Sequence, residues 1–396
     1  MHPVRLPLAA LLAAALLVAC GGGDEPVPGS QPTAGAPTAK GSFSALVSFG
    51  DSLSDIGAYA PATSLAGNGS APYFGGKFTT NLDGGQGKVW VENLASSLGL
   101  VVTPAEVGFA GSSVKCPAAL QSAALAATCT GYGQGGSRVS DASGIGKSGG
   151  ALTVPMTTQV ANHLARFGSF SAADLVMVFG GNNDVFIQFG TFTAQATLIQ
   201  TEATAGRISA DEAKRQLFHA QTAAQEALKT AALQLATLVR EQMLAKGARY
   251  VAVWNLPDST LSPFGATLPA SVKPVLTALV DTFNLWLREG LAGQPVQIVD
   301  ANTAFRDTYN NPAKYGMVNT TLPACDATKI SALTGGAVGD GSSLFCSAAP
   351  GMPYNGLRSG ADINTWQFAD GVHPTVGGHK LISDLALATL RSYGWI

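Results

Sequence analysis

An α/β fold, with a parallel sheet covered by helices on both faces, is predicted by three features of the 396-residue sequence. Short β-rich apolar runs at 45–49, 175–179, 250–254 and 296–299 each stop at turn-forming residues. Longer stretches of helical spacing, 89–98, 154–167 and 274–291, alternate with them. From Gly41 onward no second linker, repeat or charge block interrupts the pattern, so 41–396 reads as one domain.

Ahead of that body, residues 1–19 read as an export signal. Arg5 supplies the positive charge, 6–19 the apolar region, and Leu17-Val18-Ala19-Cys20 closes it. The tetrapeptide resembles a bacterial lipobox, which would make Cys20 the acylated first residue of a lipoprotein; an ordinary export signal that contains a cysteine is the alternative. Two acyl chains would give the stable membrane attachment that one chain does not, and Gly21 after the cysteine points to the outer membrane. Residues 20–40, rich in Gly, Pro, Ser and Thr, read as a flexible tether.

Composition excludes several classes. Charged residues are 12% of the chain, against roughly 25% in an average soluble protein. The longest apolar stretch, about 14 residues and broken by Pro7, is shorter than the ~20 a spanning helix needs, which rules out a polytopic membrane protein. A net charge of −2 gives no basic footprint for nucleic acid. Five cysteines less Cys20 leave four, for which three disulfide connectivities are open. The local pairs Cys116–Cys129 and Cys325–Cys346 are expected, each closing a short loop rich in Gly, Ala, Ser or Pro. No C-x-x-C occurs, so zinc or thioredoxin-like chemistry has no support.

Between the second and third apolar runs the pattern changes. Ser209-Ala210-Asp211-Glu212 is a capping box and Gly247 a helix stop. A single helix of roughly 37 residues would be ~55 Å long, more than a crossover needs. Its first half, with 191–206, is expected to protrude as a helical hairpin, an insertion at 191–247 that serves as a decoration or as a lid or partner-binding arm.

Four segments could carry chemistry. Phe49-Gly50-Asp51-Ser52-Leu53-Ser54-Asp55 follows the first apolar run and could project the Ser52 hydroxyl above the sheet. Asp370-Gly371-Val372-His373-Pro374-Thr375 could supply the base and carboxylate a nucleophilic serine needs; the same residues also read as a capping turn, with Thr375 as N-cap. The other histidines have weaker cases, since His2 lies in the signal and His163, His219 and His379 in helical patterns. Gly180-Gly181-Asn182-Asn183-Asp184 could present an amide to a developing oxyanion. Gly133-Gln134-Gly135-Gly136-Ser137-Arg138-Val139 lacks the Lys-Ser/Thr of a phosphate loop but offers exposed backbone N–H groups.

In this order and spacing the four segments resemble the SGNH, or GDSL, family of serine hydrolases (esterases and lipases), over about 46–390. The resemblance implies a flavodoxin-like three-layer sandwich around a central parallel sheet, to which the hairpin is added. It implies Ser52 as nucleophile, His373 as general base and Asp370 as its orienting carboxylate. The oxyanion hole would be the N–H groups of Ser52 and Gly136 with the side-chain amide of Asn183, preferred to Asn182 because it immediately precedes the Asp. Gly108-Phe109-Ala110-Gly111-Ser112 is a rival for the glycine block. Asp55 and Asp184 match positions that support the site, and no metal or organic cofactor is implied.

Gly146-Lys147-Ser148-Gly149-Gly150 satisfies the G-x-S-x-G nucleophile elbow, but 140–145 is not a convincing strand and Gly149-Gly150 is a poor helix start. Loops 59–83, 190–206, 255–269 and 305–355 could wall a binding site. They carry Tyr73, Phe74, Phe78, Phe264, Phe305 and Tyr309 but few charges, which suits an uncharged small-molecule or lipid ester. An acyltransferase using the same triad, or a non-catalytic surface-binding lipoprotein, are the alternatives. The sequence leaves the oligomeric state open.

Overall fold

The computed structural model describes residues 35–65, 76–82, 87–349 and 354–396. The export signal, Cys20, Tyr73 and Phe74 lie outside the described residues.

Four parallel strands, β1 (Ala45–Gly50), β2 (Asp174–Phe179), β3 (Tyr250–Trp254) and β4 (Gln297–Val299), pair in that spatial order. Every residue of β2 and β3 is buried, which is why these runs are continuously apolar instead of alternating. The register sets Phe49 beside Val178 and Gly50 beside Phe179, so Phe49 and Phe179 point to opposite faces. Phe49 meets Tyr132, His163 and Phe170. Phe179 stacks on Trp254 at 4.9 Å and meets Trp90 edge-on at 6.3 Å.

Six helices build the outer layers: α1 (Trp90–Ser97), α2 (Met156–Phe167), α3 (Asn182–Thr204), α4 (Ala210–Leu238), α5 (Lys273–Leu291) and α6 (Val376–Ser392). On the Phe49 face α2 lies against β1 and against the Val239–Met243 turn that prolongs α4, while α4 packs on α3 and α5. On the Phe179 face α1 and α6 pack together, joined by the Trp90 N–H donating to Nδ1 of His379 at 3.3 Å. The result is the three-layer sandwich expected.

The sheet continues past β1 without a regular strand. Ser48 pairs in parallel with Gly131, and Gly131 with Pro104. Ser48 donates to the Thr130 carbonyl at 2.9 Å and accepts from the Tyr132 N–H at 2.8 Å. This pairing delivers the glycine block that begins at Gly133 to the carboxyl end of β1.

The expected hairpin forms, capped by Ser209 accepting from the Glu212 N–H, but it is not a free-standing arm. Ala213, Leu217 and Leu228 of α4 are buried, and Gln225 and Lys229 meet Thr282 and Trp286 of α5. The helix before it runs Asn182–Thr204, so nearly all of 190–206 is helical and not a wall-forming loop. Pro37 and Ala39, which the sequence reading assigns to the tether, are held against the domain: the Pro37 carbonyl accepts from Trp395 Nε1 at 2.7 Å and the Ala39 carbonyl from the Tyr250 hydroxyl at 3.3 Å. Both local disulfides are present, with Cα separations of 5.3 Å for Cys116–Cys129 and 6.2 Å for Cys325–Cys346. No helix among the described residues is long and apolar enough to cross a membrane.

Candidate active site

β1 ends at Gly50, where nothing larger fits: a Cβ there would lie 2.2 Å from the Phe179 carbonyl oxygen of the neighbouring strand. The Gln159 side chain holds this position from both sides, accepting from the Gly50 N–H at 3.0 Å and donating to its carbonyl at 2.8 Å. Asp51 then caps a single helical turn, Ser52–Ser54, by accepting the Leu53 N–H at 3.1 Å. Ser52 therefore sits at the carboxyl end of β1, where parallel sheets place their ligands.

Across the crevice, Nε2 of His373 lies 2.8 Å from Oγ of Ser52. Nδ1 of His373 lies 2.9 and 2.8 Å from the two carboxylate oxygens of Asp370. That carboxylate also accepts the N–H groups of Val372 at 3.0 Å, His373 at 2.8 Å and Ser343 at 2.8 Å. Burial alone would raise the Asp370 pKa, but His373 and these donors outweigh it and hold the carboxyl well below the usual carboxylate range. Burial likewise disfavours the imidazolium of His373, and the Asp370 charge overrides it and raises the His373 pKa above its ordinary value. Phe78 lies over the imidazole at 4.8 Å. The capping reading of this segment holds as well, since Thr375 accepts from the Gly378 N–H at 3.0 Å.

The other described histidines lie apart from Ser52. His163 is enclosed by Phe49, Tyr132, Phe167 and Phe170, His379 faces Trp90 and the Phe78 carbonyl, and His219 is exposed. Ser148 is exposed on a short 3₁₀ turn that no strand precedes, so the alternative elbow is absent.

The glycine block reaches the same crevice. Gly136 has φ +79°, and a Cβ there would lie 1.9 Å from the Ile145 carbonyl oxygen, so only glycine fits. Asp55 accepts the Gly135 N–H at 2.9 Å, and the Tyr59 hydroxyl donates to the Gly135 carbonyl at 2.8 Å. The Ser52 and Gly136 N–H groups donate to no described residue. In the rival block, Gly108 donates to Ala58 and Ala110 to Gly150, which takes those N–H groups out of use.

Asn182 and Asn183 form the first turn of α3, entered through Gly181 at φ +117°. Asn182 donates to the Asp51 carboxylate at 3.0 Å, and Asn183 to the Ser137 carbonyl at 2.8 Å. Asp184 accepts from Arg138 Nε at 2.9 Å and the Val139 N–H at 3.0 Å. Burial raises the pKa of Asp184, and it pushes both Asp51 and Asp55 up to about 6.

Several of these groups border one cavity of about 1190 Å³. Ser52, Gly136, Asn183 and His373 meet there, walled by Phe78, Phe186, Trp254 and Phe305 among others. Of the expected wall aromatics, Phe264 packs on Phe186 and Phe189 instead, and Tyr309 does not reach the cavity. Sequence reading missed Gln159, Tyr59 and Ser343, whose contacts to the site span long intervals or join backbone atoms; only Gln159, a polar residue on the buried helix face of Met156, Val160 and His163, left any signal. No group of three or more His, Cys, Asp or Glu among the described residues could hold a metal ion.

The profile of the GDSL-like Lipase/Acylhydrolase family matches residues 46–386. Esterase EstA of Pseudomonas aeruginosa and Esterase EstA of Pseudomonas putida are each 31% identical over 147 residues, covering 37% of this chain and 20% of the relative. The match thus spans a fifth of the length of these relatives. Among solved structures, an alpha/beta hydrolase enzyme from the metagenome of Lake Arreo in Spain is similar at 14% identity and a TM-score of 0.39, over 89% of this chain and 98% of that one. The extracellular lipase of Streptomyces rimosus is similar at 16% identity and a TM-score of 0.36, over 87% and 99%.

Proposed function

The chain belongs to the GDSL-like lipase/acylhydrolase family, and from that premise we propose that it hydrolyses uncharged carboxylic esters through an acyl-enzyme on Ser52. The observation that carries this reading is the continuous line from Ser52 Oγ to His373 Nε2, and from His373 Nδ1 to Asp370, with contacts of 2.8 to 2.9 Å. His373 takes the Ser52 proton as Oγ attacks the ester carbonyl, and Asp370 fixes the tautomer and stabilises the imidazolium that forms. The tetrahedral oxyanion rests on the Ser52 and Gly136 N–H groups and on the second amide hydrogen of Asn183, the first being held by Ser137. Each such donor is worth ~3 kcal/mol of barrier. The imidazolium then protonates the leaving alcohol, and neutral His373 activates water to release the acid.

The apolar cavity supports a neutral ester over an anionic one. The test is hydrolysis of p-nitrophenyl acetate. Ser52→Ala should lower kcat by about six orders of magnitude and Ser148→Ala should leave it intact; the reverse result contradicts the assignment.

Cys20 is proposed as the lipid anchor of an exported, outer-membrane protein, on the strength of the lipobox-like tetrapeptide and the residues that follow it. Labelled palmitate should enter the expressed chain and not its Cys20→Ala variant; equal incorporation contradicts the anchor.

A further inference from the structure

The Gly136 N–H and the Gly135 carbonyl belong to one peptide unit, so whatever holds that carbonyl also aims the N–H. No described peptide bond is cis, and in a trans unit the two groups point in opposite directions. The units on either side have their own partners. The Gly135 N–H, in the unit before, donates to Asp55 at 2.9 Å. The Gly136 carbonyl, in the unit after, accepts from the Ile145 N–H at 3.0 Å. Between them, the Gly135 carbonyl accepts from the Tyr59 hydroxyl at 2.8 Å, and no other described donor reaches it.

Tyr59 is itself fixed in place. It is buried, its ring meets Phe78 edge-on at 6.1 Å, and both rings press on the same glycine. A Cβ on Gly135 would lie 2.2 Å from the Phe78 ring and 3.0 Å from that of Tyr59. The Tyr59 oxygen accepts the Thr153 N–H at 3.2 Å. Thr153 has φ +44°, in the left-handed region that β-branched residues rarely enter, and strain of this kind gathers at functional sites. Burial, with the Asp55 charge, holds the phenol pKa well above its ordinary value, so the hydroxyl keeps its proton and remains a donor.

We propose that Tyr59 is a positioning residue for the oxyanion hole: by holding the Gly135 carbonyl it directs the Gly136 N–H into the cavity shared with Ser52 and strengthens it as a donor. The inference rests on the ester-hydrolase reading above and adds to it a residue that acts through a peptide unit. The bonds from Thr153 to Tyr59 and from Tyr59 to Gly135 run in series and polarise that unit in one sense, and hydrogen bonds in series reinforce one another.

The test is Tyr59→Phe, which keeps the ring against Gly135 and deletes the hydroxyl. Its control is Thr63→Val, which deletes a nearby buried hydroxyl bonded to the Ala60 and Tyr59 carbonyls at 3.1 and 3.4 Å. The readings are Tm, kcat and KM on p-nitrophenyl acetate, and inhibition by methyl trifluoromethyl ketone, to which Ser52 would add as a hemiketal with its oxygen in the hole. Deleting a hole donor outright costs about 10²–10³ in kcat, and losing the group that aims one should cost about tenfold. Tyr59→Phe should therefore lower kcat about tenfold with KM within twofold, and weaken the ketone by the same factor. Thr63→Val should leave kcat and ketone affinity within twofold. Either reading unchanged in Tyr59→Phe, equal losses in the two variants, or failure of Tyr59→Phe to fold overturns the proposal while the hydrolase reading stands. An unsubstituted chain that neither cleaves the ester nor binds the ketone overturns the hydrolase reading, and the role of Tyr59 with it.

Discussion

Asp55 accepts the Gly135 N–H at 2.9 Å with one carboxylate oxygen, and the N–H groups of Gly57 and Ala58 at 2.9 and 2.7 Å with the other. A single buried carboxylate therefore ties the loop after Ser52 to the glycine block that brings Gly136 beside it. The two halves of the proposed oxyanion hole lie some 80 residues apart in sequence, and this contact sets their distance. Asp55→Ala should lower kcat on p-nitrophenyl esters by about tenfold to a hundredfold, the loss of a hydrogen bond to a charged group, with a smaller change in KM. A change confined to KM would show that Asp55 does not shape the hole.

The pH profile follows from His373. Its pKa is raised, and only the neutral imidazole can accept the Ser52 proton. Activity should therefore fall on the acid side with a midpoint above the ordinary histidine value of 6.5. Asp370→Asn should remove the raising charge, move that midpoint down, and lower kcat by about three to four orders of magnitude. An acid limb that does not move in Asp370→Asn would exclude His373 as the titrating base.

The two disulfides should differ in consequence. Ser343, whose N–H feeds Asp370, lies inside the loop closed by Cys325–Cys346, three residues from Cys346. Opening this loop by Cys325→Ala with Cys346→Ala should loosen that donor and lower kcat at least tenfold, besides costing about 3 kcal/mol of stability. The Cys116–Cys129 pair closes a separate small cluster, and its removal should lower Tm with much the smaller effect on kcat. Measuring kcat and Tm for both double variants checks the contrast; equal losses of kcat would contradict it.

Much of this was legible in the sequence because the informative signals were local. The strands read as apolar runs bounded by turns, and Asp370 and His373 are three residues apart, so one turn places both. The glycine blocks could not be separated in that way, since 108–112 and 133–139 are alike in composition. Tertiary pairing decides between them: Ser48 bonds to Thr130 and Tyr132, while Gly108 is spent on Ala58. Gln159 locks Gly50 across 109 residues, a contact no periodicity encodes. The helix from Asn182 was hidden because the Gly-Asn-Asn turn and the helix start are the same residues.

His163 gives a stability prediction independent of catalysis. It is buried, its two ring nitrogens have no hydrogen-bond partner among the described residues, and burial, with the Arg166 charge, lowers its pKa to about 4. Between about 4 and the unfolded value of 6.5 the folded chain thus binds fewer protons than the unfolded one. Its contribution is complete above 6.5 and is lost as pH falls through that window. His163→Phe should make Tm less sensitive to acid between pH 7 and pH 5; an unchanged slope contradicts the assignment.

The central claim is that Ser52 attacks the substrate carbonyl with His373 as its base, and covalent trapping tests it most directly. The chain treated with a fluorophosphonate and digested for mass spectrometry should carry one adduct, on the peptide containing Ser52. The adduct should be absent from Ser52→Ala and strongly slowed in His373→Ala. An adduct on another serine, or labelling that persists undiminished in Ser52→Ala, would contradict the claim.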